Sequence, residues 1–200
     1  MEHHDQRLAR FVALGIFALT VLQLAVATFI PGIPQFEGKA FGGRLAAYPV
    51  LMLAVPGVWK LLQRRSDRIP PLDWAAIAFL WAPFLVDVTG NSADLYDSIA
   101  WWDDANHFFN WFLLGTGSGL ILRHVKDLRP WEIAWMVAGL GALLAILWEL
   151  AEWYTFIRHG TELDTAYEDT LGDLALGSLG ALAAGLLIAW RTRARDPKIT

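Results

Sequence analysis

The stretch Trp131–Ile157, WEIAWMVAGLGALLAILWELAEWYTFI, decides how this chain is read. It is long enough to cross a bilayer, for which roughly 20 mostly apolar residues suffice. Yet Glu149 and Glu152 stand near its C-terminal end, where the helix dipole disfavours negative charge. The rest of the chain has the same character. Of its 200 residues 56% are hydrophobic, with a mean hydropathy of +0.39, and they come in long blocks instead of alternating with charge as in a soluble domain.

Outward from that stretch, five further segments read as membrane spans. The six lie at about 8–30, 45–62, 72–88, 101–122, 131–157 and 167–190. The first follows a short basic stretch and is too long for a removable signal peptide, so it reads as a signal anchor. The second carries Pro49 and Pro56 and has the weakest pattern. Lysines and arginines set the orientation: thirteen of the sixteen fall on one side of a six-span arrangement, leaving Lys39, Arg44 and Arg158 on the other. The expected fold is therefore an all-α integral membrane protein, a single six-transmembrane-helix bundle over 1–200 with both termini cytoplasmic.

The absence of cysteine excludes disulfides, thiolate metal sites and thiol catalysis. No basic stripe or stacking platform supports nucleic-acid binding. The implied partner is the lipid bilayer, with tryptophans at both interfaces. Small residues in the last three spans, at Gly115, Gly119, Gly139, Gly141, Gly177, Gly180 and Gly185, point to a tightly packed bundle.

Twelve of the twenty acids fall in two windows, 87–104 and 149–173, which the six-span arrangement puts on the outer side. Asp103 and His107 are four residues apart and Asp104 and His107 three, so either aspartate can share a helical face with the imidazole. At about 1.5 Å per residue, His107 lies roughly 7 to 8 Å inside the interface marked by Trp102. Asp103, Asp104, Glu168 and Asp169 are also explained as acids complementing a helix N-terminus. Glu149, Glu152 and Asp173 are not, and a charged group inside a span is costly and usually functional.

Few cations are expected nearby: Arg158, His159 and His107 itself. Such a cluster can hold protons or a cation. Carboxylates alone suit Mg²⁺, Ca²⁺ or Mn²⁺, and an added imidazole admits Zn²⁺ or Fe²⁺. The candidate catalytic residues are Asp103, His107, Glu149, Glu152, Asp169 and Asp173. The candidate ligands of a divalent cation are Asp103, Asp104, His107, Glu149, Glu152 and Asp173.

Three motifs on consecutive spans, WDDANHFFNWF, WELAEW and EDTLGDLALGSLGA, resemble in order the signatures of the bacterial YjdF-like inner-membrane proteins, domain of unknown function 2238. Asp103, His107 and Phe108 match the first, Glu149, Glu152 and Trp153 the second, and Asp169, Thr170 and Asp173 the third. The likeness covers about 87–185, and a more distant similarity to VanZ-like membrane proteins rests on the same order. Phe109-Asn110 and Leu171-Gly172 depart from the family's usual residues. The resemblance implies a multi-pass protein of a bacterial inner membrane and supplies no reaction.

Three functions fit these residues. One is a cation-binding or acid–base site acting on a lipid-linked or envelope small molecule. The second is a proton- or ion-coupled transporter, against which stand the charge-free runs 115–122 and 175–189. The third is a scaffold whose acids serve only structure.

Overall fold

The computed structural model describes residues 2–124, 128–158 and 165–195; outside them lie Lys126 and Lys198 of the thirteen basic residues, Asp164 of the 149–173 acids, and His159. Every regular element among the described residues is helical. The chain divides into two compact units, residues 1–100 and 101–200.

The first unit holds α1 (Glu2–Phe29), α2 (Phe41–Arg65), α3 (Trp74–Ser92) and the single turn α4 (Leu95–Ser98), with a 3₁₀ turn at Pro34–Phe36. α1 packs chiefly on α3. Its buried residues Ala13, Thr20, Leu24 and Ala27 recur at helical spacing on one face, while Phe11, Leu22 and Phe29 point outward. Asp73 caps α3 by accepting from the backbone N–H groups of Ala75 and Ala76, and Gln6 of α1 ties onto both Asp73 and the Trp74 N–H. Asp73 is thus an ordinary cap.

α2 runs through both of its prolines and is longer than the expected 45–62. The reason is visible at Met52. Its carbonyl would bond to the N–H of residue 56, which Pro56 lacks; the indole N–H of the buried Trp81 on α3 takes that place. A neighbour that supplies the missing donor lets a span keep its proline.

The second unit holds α5 (Trp102–Leu122), α6 (Pro130–Glu152) and α7 (Ala166–Arg195). α6 ends in a single π turn, Trp153–Ile157, inside what the sequence reading took as one continuous helix. α7 is central, packing extensively on both α5 and α6. Glycines make this approach: a Cβ on Gly180 would fall 2.2 Å from the Phe108 carbonyl oxygen, and one on Gly141 2.1 Å from the Ala181 Cβ. Gly115, Gly119, Gly177 and Gly185 are similarly tight. Gly139 is the exception, with nothing near its absent side chain. Beneath them Ile133, Val137, Ala184 and Ile188 form a buried cluster.

Among the described residues five helices are long and apolar enough to cross a membrane: Asp5–Phe29, Phe41–Arg65, Trp74–Ser92, Pro130–Thr155 and Ala166–Ala194. α5, expected as the remaining span, is not among them. It has 21 residues, but Asn106, His107 and Thr116 are polar and buried, so its inner face is built for contact with other helices instead of lipid.

Candidate functional site

His107 is the hub of the second unit's polar end. α5 carries it one turn beyond Asp103, whose Oδ1 lies 3.6 Å from its Nε2. Asp173 reaches the same nitrogen from α7, with Oδ1 at 3.5 Å. On the other side of the ring, Glu149 of α6 brings Oε1 to 3.8 Å from Nδ1. Three helices therefore converge on one imidazole.

His107, Glu149 and Asp173 are buried, with 7%, 6% and 3% of their surface exposed. Asp103 and Glu152 are half-buried, and Asp104 and Asp169 are exposed. Donor atoms of Asp103, His107 and Asp173 lie within 4.8 Å of one another, and so do those of His107, Glu149 and Glu152. Five of the seven candidate residues thus meet around His107. Asp104 and Asp169 belong to neither group. Asp104 is one residue past Asp103, about 100° around the helix, and so turns off the inward face. Asp169 sits a turn nearer the start of α7 than Asp173.

Separations of 3.5 to 3.8 Å are too long for hydrogen bonds. Glu149 Oε1 has no hydrogen-bond partner among the described residues although it is fully shielded. Thr170 of α7 lines the same outer surface as Glu149. Beside Glu149 a groove of about 430 Å³ opens on the outer surface of α6 and α7, walled by Ile146, Leu150, Trp153 and Leu174.

Asn106, which the sequence reading passed over, is buried next to His107. It donates to the Trp102 carbonyl and accepts from the Asn110 amide, leaving the Asn110 oxygen without a partner among the described residues. Its spacing of four from Asn110 was the available signal.

The first unit corrects the expected shortage of cations. Asp87 is buried and accepts from Arg44 and Tyr48 through one oxygen and from Asn91 and Tyr96 through the other. Lys39 binds Asp94 at 2.7 Å and Asp97 at 2.6 Å. Lys39 and Arg44 are two of the three exceptions to the basic-side pattern, and both are held in ion pairs. The third, Arg158, stacks its guanidinium 3.8 Å over the Tyr154 ring. Asp87, Asp94 and Asp97 therefore have their own counter-ions, and among the described residues only the second unit keeps a concentration of acids around a single imidazole.

No curated protein and no solved structure matches this chain. A family model described as a predicted membrane protein, DUF2238, matches residues 12–195, a range that contains all three motifs and most of both units. The chain belongs to this family of membrane proteins.

Proposed function

We propose that the second unit is a membrane-embedded site for one divalent cation, used in acid–base or metal-assisted chemistry on a lipid-linked or envelope molecule. The observation that carries this reading is the buried His107 with carboxylates from three helices at 3.5 to 3.8 Å. Two ligands about 2.0 to 2.1 Å from a tetrahedral ion stand roughly 3.4 Å apart, close to the His107–Asp173 separation. Four carboxylates around one imidazole need protons or a cation to balance their charge, and one divalent ion would meet that need. A mixed nitrogen and oxygen set favours Zn²⁺, Fe²⁺ or Mn²⁺ over Ca²⁺.

In this reading Nε2 of His107, Asp103 and Asp173 would hold the ion. Glu149, facing Nδ1 at 3.8 Å, would orient the ring and favour the tautomer with its proton on that side, as partners of ligating histidines do. A bound cation would polarise a substrate oxygen or acidify a water, and Glu152, half-buried and grouped with His107 and Glu149, would serve as the general base. The apolar groove ending at Glu149 and Thr170 suits the tail of a lipid-linked substrate. Metal content of the protein purified in detergent tests the reading. About one ion per chain is expected in the wild type after loading with Zn²⁺ or Mn²⁺, and none in Asp103→Ala, His107→Ala or Asp173→Ala. Equal loading of all four proteins would sink it.

The same reading takes α5 as a sixth span of a bacterial inner-membrane protein with both termini cytoplasmic. At 1.5 Å per residue its 21 residues extend about 31 Å, the thickness of the hydrocarbon core. The chain has no native cysteine, so Ser98→Cys and His124→Cys can be labelled one at a time. They should react from opposite faces of the membrane; reaction from one face would remove α5 as a span.

A further inference from the structure

The opposite end of α6 and α7, away from His107, holds a second groove, of about 320 Å³. Trp131 and Trp135 from the first turns of α6 line it, facing Trp190, Leu182 and Leu186 of α7. The space exists because the residues at its base are small: Ala134 and Ala189 are buried there, and Gly185 lies against the Ala134 backbone. Among the described residues Arg193 is its one charged lining residue.

We propose that this groove binds one anionic phospholipid, an acyl chain lying between the tryptophans and the phosphate on Arg193. Three observations commit the site to that occupant. The three indoles and Leu186 are about half or more exposed, on helices that span the membrane, so the groove opens where lipid is. α7 has 30 residues and extends about 45 Å, enough to carry its last turns through the hydrocarbon into the headgroup layer. Arg193 is exposed in those turns, without an ion pair among the described residues, and Arg191 stands two residues away.

Charge completes the match. The nearest acid in sequence on α6, Glu132, is engaged in accepting from the Arg129 backbone N–H at 2.6 Å. Tryptophan rings settle at headgroup depth, and a guanidinium meets a phosphate through two parallel hydrogen bonds. Basic pockets between membrane helices are the usual form of an anionic-lipid site. A neutral lipid would leave Arg193 without its counter-ion. A second copy of the chain would bring the same basic end toward its own.

Native mass spectrometry of the full chain, extracted from vesicles of equal phosphatidylglycerol and phosphatidylcholine, tests this. The wild type should retain phosphatidylglycerol over phosphatidylcholine, and Arg193→Gln should reduce that preference about fivefold. Arg64→Gln, on α2 and outside the groove, should leave it unchanged. Ala189→Leu fills the groove and should lower retention of both lipids while the helical circular dichroism stays intact. An unchanged preference in Arg193→Gln overturns the proposal. So does a dimer that Ala189→Leu dissociates, because the occupant would then be a second copy.

Discussion

Nε2 of His107 on α5 and Oδ1 of Asp173 on α7 stand 3.5 Å apart, both side chains buried, in a helix pair held together by glycine. The separation is longer than a hydrogen bond and matches two ligands sharing an ion. It also makes the sign of a substitution informative.

If the pair shares an ion, chelation should lower wild-type stability by about 2 to 3 kcal/mol, the contribution of a ligand present near a hundred times its dissociation constant. Asp173→Asn should be insensitive to chelator. It should be less stable than the loaded wild type and more stable than the stripped one, because it removes a buried like charge. Thermal unfolding in detergent reads both orders. An asparagine variant at or above the loaded wild type would argue for a purely structural cluster.

In the first unit the buried Asp87 pairs with the half-buried Arg44, and removing one leaves the other uncompensated. Asp87→Leu alone should cost about 3 to 5 kcal/mol. Arg44→Met combined with Asp87→Leu should recover most of that loss. Unfolding of the two single variants and the double variant closes the cycle and isolates the coupling.

Gly180 and Gly139 offer a matched pair. An alanine Cβ at 180 would meet the Phe108 carbonyl, a backbone atom that cannot swing away, so α5 and α7 must separate. Gly180→Ala should destabilise by about 1 to 3 kcal/mol. Gly139→Ala meets nothing and should be neutral or stabilising by up to about 1 kcal/mol through helix propensity. Equal effects at the two sites would contradict the packing described for α7.

Lys39 and its two aspartates lie outside the spans and set a pH window. The hydrogen bond from Lys39 holds the Asp94 carboxyl below its ordinary 3.8. Partial burial works to lower the Lys39 ammonium, but hydrogen bonds and charge from Asp94 and Asp97 outweigh it and hold the group above 10.5. A depressed acid contributes fully above its unfolded value, and a raised amine fully below its own. The tie between the 30–40 loop and α4 should therefore be complete from pH 3.8 to 10.5. It should loosen only as pH falls through the lowered Asp94 value or rises through the raised Lys39 value. Hydrogen exchange of residues 91–98 across pH, corrected for intrinsic rates, measures this. Loss of protection near neutrality would contradict it.

Much of the site was legible because helical spacing is a local property. Asp103 with His107 follows from a separation of four, and the acids at 149, 152 and 173 stood out because neither capping nor the dipole accounts for them. Sequence spacing gave Asp104 the same standing as Asp103, since three and four residues both return to one face. Only the direction in which α5 turns toward α6 and α7 separates them, bringing Asp103 to the imidazole and leaving Asp104 exposed. Asp87 was grouped with the other acids for a related reason. Its counter-ion Arg44 lies 43 residues earlier, beyond the reach of any local pattern.

The amino-acid order determined a multi-pass helical membrane protein, because apolar blocks of span length have no other stable state in quantity and the backbone in lipid must bond to itself. It also determined which acids sit at a helix end without a local reason. Tertiary packing alone decided which charges are neutralised, that a tryptophan rescues the carbonyl freed by Pro56, and that α5 keeps its polar face inward. Those outcomes depend on how helices rotate against one another. That rotation is fixed by close contacts such as Gly180 on the Phe108 backbone, which no periodicity along a single helix records.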